Sequence, residues 1–294
     1  MRVVVLRNSK AGRGADLAQA GVDLGRYEVV ELDGKDPKQA ARDALRRGAE
    51  VLVAVGGDGT VSAVGDALVG STARLAVVPA GTGNDLARTL GIPTDFAEAF
   101  ALVESGVERL VDVIRAEPDD GPATYVLNVA AGGLSGQVDE ALDGDQKQRW
   151  GPLAYLWCAV KVLPDLHPYR TELTLDDGEP FTVDAVNVVV ANGRTVGGGW
   201  GVAPTAEIDD GFADVVVVRY AKALDLAGVA ARLATGDALA SPTVDHHRAR
   251  TVRLRAEPGM PFNVDGELIT RSGCTFTVLP RALRVLVPPS APPP

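Results

Sequence analysis

Two glycine-rich segments in the first third of the chain each follow a short apolar run. Gly56–Thr60, with the sequence GGDGT, comes directly after Val51–Val55, and Pro79–Asp85 follows Leu75–Val78 in the same way. Glycine lets the backbone turn tightly and approach a phosphate closely, and a helix that begins there offers N–H donors. Because Asp58 repels phosphate, these segments predict a nucleotide site in which Mg²⁺ stands between carboxylate and phosphate.

A third glycine turn, Asn8–Gly14, follows the first apolar run and adds Lys10 and Arg13 as candidate phosphate partners. Three such turns with carboxylates and cations suit a nucleoside triphosphate bound with Mg²⁺. The sequence has no G-x-x-x-x-G-K-[ST] pattern, and no G-x-G-x-x-G follows the first predicted strand. These absences argue against a Walker-type NTPase and a Rossmann dehydrogenase. Taken alone, Gly56–Thr60 is equally compatible with a tight turn whose polar residues cap the next helix.

Two acidic segments in the second half of the chain could support other chemistry. Phe262–Glu267 places Asp265 and Glu267 on either side of a glycine, where a carboxylate can accept the proton of an attacking hydroxyl group. Ala203–Gly211 has the carboxylate and backbone oxygens that suit Mg²⁺ or Ca²⁺. Each segment is also compatible with an ordinary polar turn. Trp150–Leu163 is strongly apolar and aromatic, which indicates either buried core or the lining of an apolar substrate cleft.

The elements that must position the glycine turns alternate between strand and helix up to about residue 115. Continuous apolar runs predict strands covered on both faces, and Asp36-Pro37 predicts a helix that begins with a capping residue and a proline. This alternation predicts parallel pairing in an α/β domain. The predicted strands are Arg2–Arg7, Tyr27–Leu32, Val51–Val55, Leu75–Val78 and Leu110–Ile114, and the further helices are Thr60–Leu68, Asn84–Leu90 and Thr94–Ser105.

The pattern changes after Arg115. The turn-rich stretch Glu117–Pro122 predicts a linker, and beyond it strands dominate, which indicates a mainly antiparallel β domain. The predicted strands are Thr124–Ala130, Arg170–Leu175, Phe181–Ala191, Ala213–Tyr220, Arg250–Ala256 and Thr275–Leu279, and the predicted helices are Leu153–Leu163 and Ala223–Thr235.

Composition and charge argue against two classes of protein, nucleic-acid binders and membrane-spanning proteins. The 294 residues are 46% hydrophobic and carry a net charge of −10, so the chain lacks the basic balance of a nucleic-acid binder. No run reaches the roughly 18 apolar residues of a membrane span. The expected location is therefore the cytoplasm, with peripheral contact at the inner face of the membrane as a further expectation.

In their order along the chain, these segments resemble the diacylglycerol kinase catalytic-domain family, which includes the sphingosine kinases. The resemblance covers nearly the whole chain, and its second segment is long and quite specific. The matching segments are Gly56–Thr60, Pro79–Arg88, Asn128–Val138, Gly151–Tyr155, Ala203–Gly211 and Asp265–Glu267.

The resemblance implies a fold with two domains, one that binds ATP and one that binds the lipid substrate. It implies an α/β ATP-binding domain at 1–115, a β-sandwich-like lipid-substrate domain at 123–280, and a cleft between them. Residues 281–288 would return to the first domain, and 289–294 would form a proline-rich tail. The acceptor would be a lipid at the membrane surface, and the family is compatible with a homodimer.

The resemblance also implies roles for individual residues. Glu267 would accept the proton of the lipid hydroxyl, with Asp265 beside it. Asp58 would organise the catalytic Mg²⁺ in an acidic network with Asp85 and Asp112. A structural Mg²⁺ would bind Asp210, with Glu207 and Phe212 contributing mainly backbone carbonyls. The nucleotide contacts would be Asn8, Ser9, Lys10, Ala11, Gly12, Gly57, Asp58, Gly59, Thr60, Val61, Ser62, Ala63, Thr82, Asn84 and Asp85.

The expected function is that of an ATP- and Mg²⁺-dependent lipid kinase that phosphorylates a hydroxyl group of diacylglycerol or a related lipid. Two alternatives stay open at this point. An NAD-kinase-like enzyme would share the first glycine segment. A catalytically weak regulator that binds lipid or nucleotide would explain why Ser9, Ser62 and Ala63 depart from the family pattern, although Asp58 and Glu267 are intact.

Overall fold

The computed structural model describes residues 1–9, 21–133, 167–264 and 267–289. The chain forms two compact units. Unit 1 comprises Met1–Val113 together with the residues from Pro280 onward, and unit 2 comprises Ile114–Leu279.

Unit 1 contains a parallel sheet with helices between its strands. Its strands are β1 (Val3–Arg7), β2 (Glu28–Glu31), β3 (Val51–Gly56) and β4 (Arg74–Pro79), and β5 (Val107–Pro118) begins in this unit. Its helices are α1 (Pro37–Arg46), α2 (Asp58–Leu68), α3 (Asp85–Thr89) and α4 (Phe96–Ser105), with a 3₁₀ turn at Leu24–Arg26. The strands pair in the order β2-β1-β3-β4, all parallel. At the β4 edge, Arg284 and Val285 pair in parallel with Arg74 and Leu75.

The residues of unit 1 explain this arrangement. β3 is buried along its whole length, as expected for a strand that helices cover on both faces. Helix α1 begins where the sequence predicts, because the Asp36 side chain accepts a hydrogen bond from the N–H of Lys38 at 2.9 Å and Pro37 occupies the first helical position. Ala41 and Ala44 form its buried face. The predicted α/β class of this half is thereby confirmed.

Unit 2 is mainly antiparallel. Its strands after β5 are β6 (Thr124–Val126), β7 (Val129–Gly133), β8 (Tyr169–Leu175), β9 (Phe181–Ala191), β10 (Thr195–Val196), β11 (Trp200–Gly201), β12 (Ala213–Arg219), β13 (Val244–Ala249), β14 (Thr251–Glu257), β15 (Phe262–Val264), β16 (Glu267–Thr270) and the first part of β17 (Cys274–Val287). Helix α5 (Ala223–Thr235) and a 3₁₀ turn at Ala238–Ala240 lie between β12 and β13. Pairing runs in the order β16-β15-β7-β9-β8-β14-β17, and β12 joins β9 to β13.

Alternation of side chains builds the core of unit 2. In β8, Tyr169, Thr171 and Leu173 are buried, whereas the residues between them are exposed, which is the pattern of a strand with one face on the core. Phe262 and Phe276 meet in that core with ring centroids 5.4 Å apart. The predicted mainly antiparallel β class of this half is also confirmed.

The segment 117–122, interpreted from sequence as a linker, belongs to a hairpin. β5 continues to Pro118 and pairs with β6, so that Ala116 lies opposite Thr124. The N–H of Asp119 donates to the carbonyl of Gly273 at 2.9 Å, and the Asp120 carboxylate accepts from Thr270 Oγ1 at 2.6 Å. The acidic, proline-containing segment thus forms a turn held by hydrogen bonds. The predicted helix Leu153–Leu163 lies outside the described residues.

None of the helices within 1–9, 21–133, 167–264 and 267–289 is long and apolar enough to span a membrane.

Candidate functional site

The glycine turns after β3 and β4 pack directly against each other. The N–H of Ala80 donates to the carbonyl of Gly56 at 2.8 Å. A Cβ atom on Gly81 would lie 2.5 Å from the Cα of Gly57, which is closer than real Cβ contacts allow. The two turns therefore meet backbone to backbone, and only glycine permits this approach.

Asp58 lies at the start of α2 and accepts hydrogen bonds from the turn after β4. Its Oδ2 accepts from the N–H of Asn84 and its Oδ1 from the N–H of Asp85, each at 2.8 Å. The Asp85 side chain is only 4% exposed. A Cβ on Gly83 would lie 2.5 Å from Asp58 Oδ2 and 3.2 Å from Asp85 Oδ2, so both carboxylates flank this glycine. The predicted pair of acids is thus brought together.

The environment of Asp58 disfavours its charged form. Burial raises the pKa of the Asp58 carboxyl above its usual range, and the nearby Asp85 carboxylate raises this pKa further. The two backbone N–H donors offset part of the rise. Two carboxylates held this close are a donor set that fits Mg²⁺, because a divalent cation would relieve their repulsion and hard oxygen ligands suit it.

Asn84, predicted as a nucleotide contact, closes the turn that carries Asp85. Its backbone is in the left-handed region with φ of 55°, which asparagine tolerates better than most residues. Its Oδ1 accepts from the N–H of Gly81 at 3.0 Å, and its Nδ2 donates to the carbonyl of Gly81 at 2.8 Å. The asparagine side chain therefore positions the two backbone N–H groups that bind Asp58.

The first turn of α2 supplies backbone donors on one accessible side. Its N-cap is Gly57, which has no side chain to occupy the N–H groups of that turn. Gly59 is exposed and Ala63, one turn later, is half-buried on the same side. Val61 and Ser62 are buried, so their side chains face the protein interior.

The remaining predicted nucleotide contacts divide into described and undescribed residues. Asn8 Nδ2 donates to Thr60 Oγ1 at 3.2 Å, which ties the end of β1 to α2. The Ser9 hydroxyl donates to the Asp33 carboxylate at 2.6 Å, and Thr82 is exposed. The predicted residues Lys10, Ala11, Gly12 and Asp265, the segment Gly151–Tyr155 and the apolar stretch Trp150–Leu163 lie outside the described residues.

Asp112, expected in the acidic network with Asp58 and Asp85, accepts a hydrogen bond at the start of the last part of β17. Its carboxylate is buried, and its Oδ1 accepts a hydrogen bond from the N–H of Arg281 at 2.7 Å. Arg281 has a left-handed backbone with φ of 55°. Asp112 therefore stabilises the bend at which β17 enters unit 1, and this contact, between residues far apart in sequence, has no local sequence signal.

Glu267 is the first residue of β16 in unit 2. It lies opposite Val264 in the pairing of β15 with β16, and its side chain is exposed. An exposed carboxylate at the end of a hairpin is accessible to a substrate hydroxyl group. An exposed glutamate at this position could also be a solvated acid without a catalytic role. Mutation of Glu267 separates this interpretation from that of a proton acceptor.

The loop predicted to bind a structural cation forms an ion pair with an arginine of β13. Asp210 Oδ1 accepts from the N–H of Phe212 at 2.9 Å, and Asp210 Oδ2 forms an ion pair with Arg248. Glu207 is exposed. Because the Arg248 guanidinium already supplies positive charge to Asp210, a cation at the donor set Asp210, Glu207 and Phe212 would have to displace it. Among the residues that the structure describes, no group of three or more His, Cys, Asp or Glu could hold a metal ion.

The contact between the two glycine turns predicts a matched pair of substitutions. Gly81→Ala is expected to lower the free energy of unfolding by about 1–3 kcal/mol, because its methyl group meets backbone atoms that cannot rotate away. Gly59→Ala meets nothing within 4 Å and is expected to keep or slightly raise stability. Urea unfolding of both variants checks this, and equal effects would contradict the close approach of the turns.

Two family models match the chain. Residues 2–116 match the diacylglycerol kinase catalytic domain, and residues 128–287 match the YegS C-terminal NAD kinase beta sandwich-like domain. The first match contains the paired carboxylates of unit 1, and the second contains Glu267 and the loop of Asp210.

Curated relatives match over nearly their whole length. A protein of Stenotrophomonas maltophilia named "Probable lipid kinase YegS-like" is 32% identical over 279 residues, which cover 92% of this chain and 89% of that protein. A Mycobacterium tuberculosis protein named "Diacylglycerol kinase" is 30% identical over 300 residues, which cover 98% and 95%.

Solved structures share the fold. The crystal structure of a diacylglycerol kinase from Bacillus anthracis superposes with a TM-score of 0.72 at 21% identity and covers 99% of this chain and 98% of that one. An NAD kinase from Archaeoglobus fulgidus in complex with ATP gives a TM-score of 0.52 at 15% identity, with 97% and 93% covered. At these identities the likeness concerns the fold alone.

Proposed function

The chain belongs to the diacylglycerol kinase catalytic-domain family and is a lipid kinase, and from this premise we propose that it transfers the γ-phosphate of ATP, with Mg²⁺, to a hydroxyl group of diacylglycerol or a related lipid. The acceptor lipid resides in a bilayer, so the enzyme acts as a peripheral protein at the membrane surface. The cytoplasmic face is the side on which ATP is available.

The observation that carries this proposal is the pair of carboxylates at the adjoining glycine turns. Asp58 is held by the N–H groups of Asn84 and Asp85, and its pKa is raised by burial and by the Asp85 carboxylate. Mg²⁺, when bound, would neutralise phosphate charge, which is the main requirement of phosphoryl transfer. Asp58 holds the negative charge that such a cation needs, and the first turn of α2 offers backbone N–H groups to phosphate oxygens.

Glu267 acts as the proton acceptor, with Asp265 beside it in sequence. The lipid hydroxyl oxygen forms a bond to the γ-phosphorus while the bond from that phosphorus to the bridging oxygen of ADP breaks. The hydroxyl proton passes to the Glu267 carboxylate, and ADP leaves with the bonding electron pair. Phosphoryl transfer requires mostly positioning and charge neutralisation, so this carboxylate supplies the remaining acid–base step.

The choice of lipid over a soluble dinucleotide rests on the whole-length relatives. Proteins named as lipid or diacylglycerol kinases match at 30–32% identity over nearly the entire chain. The NAD kinase structure is 15% identical to this chain, and at that identity a shared fold does not indicate which acceptor this chain phosphorylates. ATP as the phosphoryl donor is proposed from membership of the kinase family.

A radiolabel transfer assay tests the proposed reaction. Purified protein is mixed with Mg²⁺ and γ-labelled ATP in three tubes that contain diacylglycerol in mixed micelles, a total lipid extract in micelles, or NAD. We expect label in an organic-phase product and none on NAD, because the relatives point to a lipid acceptor. Label on NAD alone, or ATP binding without transfer in any tube, would overturn the proposal.

A further inference from the structure

The cation-binding loop predicted between Ala203 and Gly211 ends against strand β13. Asp210, the residue whose side chain was expected to bind the cation, is largely buried, with a side chain that is 15% exposed. Its two carboxylate oxygens face the N–H of Phe212 and the guanidinium of Arg248. A buried carboxylate needs such partners, because an unpaired buried charge is costly.

Strand pairing fixes the position of Arg248. It lies opposite Asp214 in the antiparallel pairing of β12 with β13. Asp214 is 1% exposed, and Arg248 lies within electrostatic reach of it. The guanidinium thus forms an ion pair with Asp210 on the loop and lies near Asp214 on the strand, whose Oδ1 is 2.6 Å from His246 Nε2. This is the place where the acidic loop requires positive charge.

The Phe212 ring holds the guanidinium from another side. Arg248 Cζ lies 4.9 Å from the centroid of this ring, and Arg250 Cζ lies at the same distance. Cations in such positions are attracted to an aromatic face. Arg250 shares this contact with Phe212 but the structure gives it no ion pair with Asp210, which makes it a natural control.

We propose that Arg248 is the resident counter-cation of the loop 203–211 and takes the place that a divalent metal ion would otherwise fill. Arginine stays protonated at any physiological pH, so a metal ion that approached Asp210 would be repelled unless it displaced the guanidinium. Order in this loop is therefore independent of Mg²⁺. This inference concerns unit 2 alone and does not depend on the proposed kinase reaction.

The test measures thermal unfolding without nucleotide, in the Asp58→Asn protein so that the carboxylate pair of unit 1 contributes no metal site. With Arg248 intact, the melting temperature is expected to be the same in EDTA and in millimolar Mg²⁺. Adding Arg248→Gln is expected to lower it by about 2–4 °C in EDTA. Mg²⁺ or Ca²⁺ should restore part of that loss, since Asp210 is then open to a cation.

Two controls keep the result specific. Arg250→Gln removes the other guanidinium from Phe212 and should create no metal dependence. Arg248→Gln combined with Asp210→Asn should lose the metal-dependent recovery. The proposal is overturned if Mg²⁺ stabilises the protein that retains Arg248 through Asp210, or if the Arg248→Gln protein gains no recovery.

A direct count of bound metal covers the case in which Arg248→Gln does not fold. Mn²⁺ binding to the folded Asp58→Asn protein, followed by electron paramagnetic resonance, should show no tight site in unit 2. Arg248→Lys, which keeps a cation at this position, should behave in the same way. One tight Mn²⁺ that disappears with Asp210→Asn would contradict the assignment.

Discussion

Glu267→Gln is expected to lower phosphoryl transfer to lipid by about 10²–10⁴-fold, the range that general acid–base catalysis contributes. Glutamine has nearly the same size and keeps one acceptor oxygen, but it cannot accept the proton of the lipid hydroxyl. Glu267 is exposed at the first position of β16, so the change leaves the pairing of β15 with β16 in place. The loss should therefore appear in kcat, with nucleotide affinity retained.

Initial rates with saturating ATP and varied lipid, together with calorimetric titration of ATP, measure this effect. Glu179→Gln is the matched control, because it is the same substitution at another exposed glutamate of unit 2 and should keep full activity. Near-normal turnover in the Glu267→Gln protein would sink its role as proton acceptor and leave the solvated hairpin acid as the interpretation.

Asp58→Asn is expected to lower Mg²⁺-dependent turnover by about 10²–10³-fold, the cost of removing a preorganised electrostatic contact. Both Asp58 oxygens accept backbone hydrogen bonds, from Asn84 and Asp85. Asparagine offers one acceptor oxygen and turns an N–H₂ group toward the other donor. The variant therefore loses negative charge and also loosens the turn after β4.

A Mg²⁺ titration of the rate separates these two effects from a general loss of folding. The Asp58→Asn protein should require more Mg²⁺ at every ATP concentration, while Asp43→Asn on α1, where the side chain is 41% exposed, should leave the titration unchanged. An unaltered Mg²⁺ dependence in the Asp58→Asn protein would count against the assignment of the cation to this pair.

The raised pKa of Asp58 adds a pH signature to the same experiment. The ionised carboxylate binds the cation, and burial together with the Asp85 charge holds the pKa of Asp58 above its usual range. Mg²⁺ affinity in the absence of nucleotide should therefore fall, as pH is lowered, at a higher pH than an ordinary aspartate would give. This acid-side step should be absent from the Asp58→Asn protein.

The parts of the fold that follow local rules could be predicted from sequence. Helix α1 begins at Pro37 because Asp36 caps it, and both residues are adjacent in the sequence. The buried strands of unit 1 are continuous apolar runs, so their alternation with helices indicated the α/β class. The sequence did not predict β13, because Val244–Ala249 contains two histidines, an aspartate and an arginine. Among the described strands, β13 pairs with β12 alone. An edge strand needs fewer apolar residues than a central one.

The site divides in the same way. Asp58 and Asp85 could be placed together because the carboxyl ends of neighbouring parallel strands lie at one edge of a sheet. The turn-closing role of Asn84 had an available signal, since asparagine after glycine tolerates a left-handed backbone. The ion pair of Arg248 with Asp210 joins residues 38 positions apart. No spacing rule links such a pair, so only the folded chain shows that an arginine of β13 pairs with the predicted metal loop.

Unit 1 is built from two separate stretches of the chain, and this has a consequence for its biosynthesis. Its sheet is completed by Arg284 and Val285 beside β4, and the bend before them is held by Asp112 and by the N–H of Gly70, which donates to the carbonyl of Ala282 at 2.9 Å. These late residues leave the ribosome after all of unit 2. During synthesis, the sheet of unit 1 therefore has an unpaired edge at β4 until translation reaches β17. Such an edge is a surface prone to aggregation and to chaperone binding.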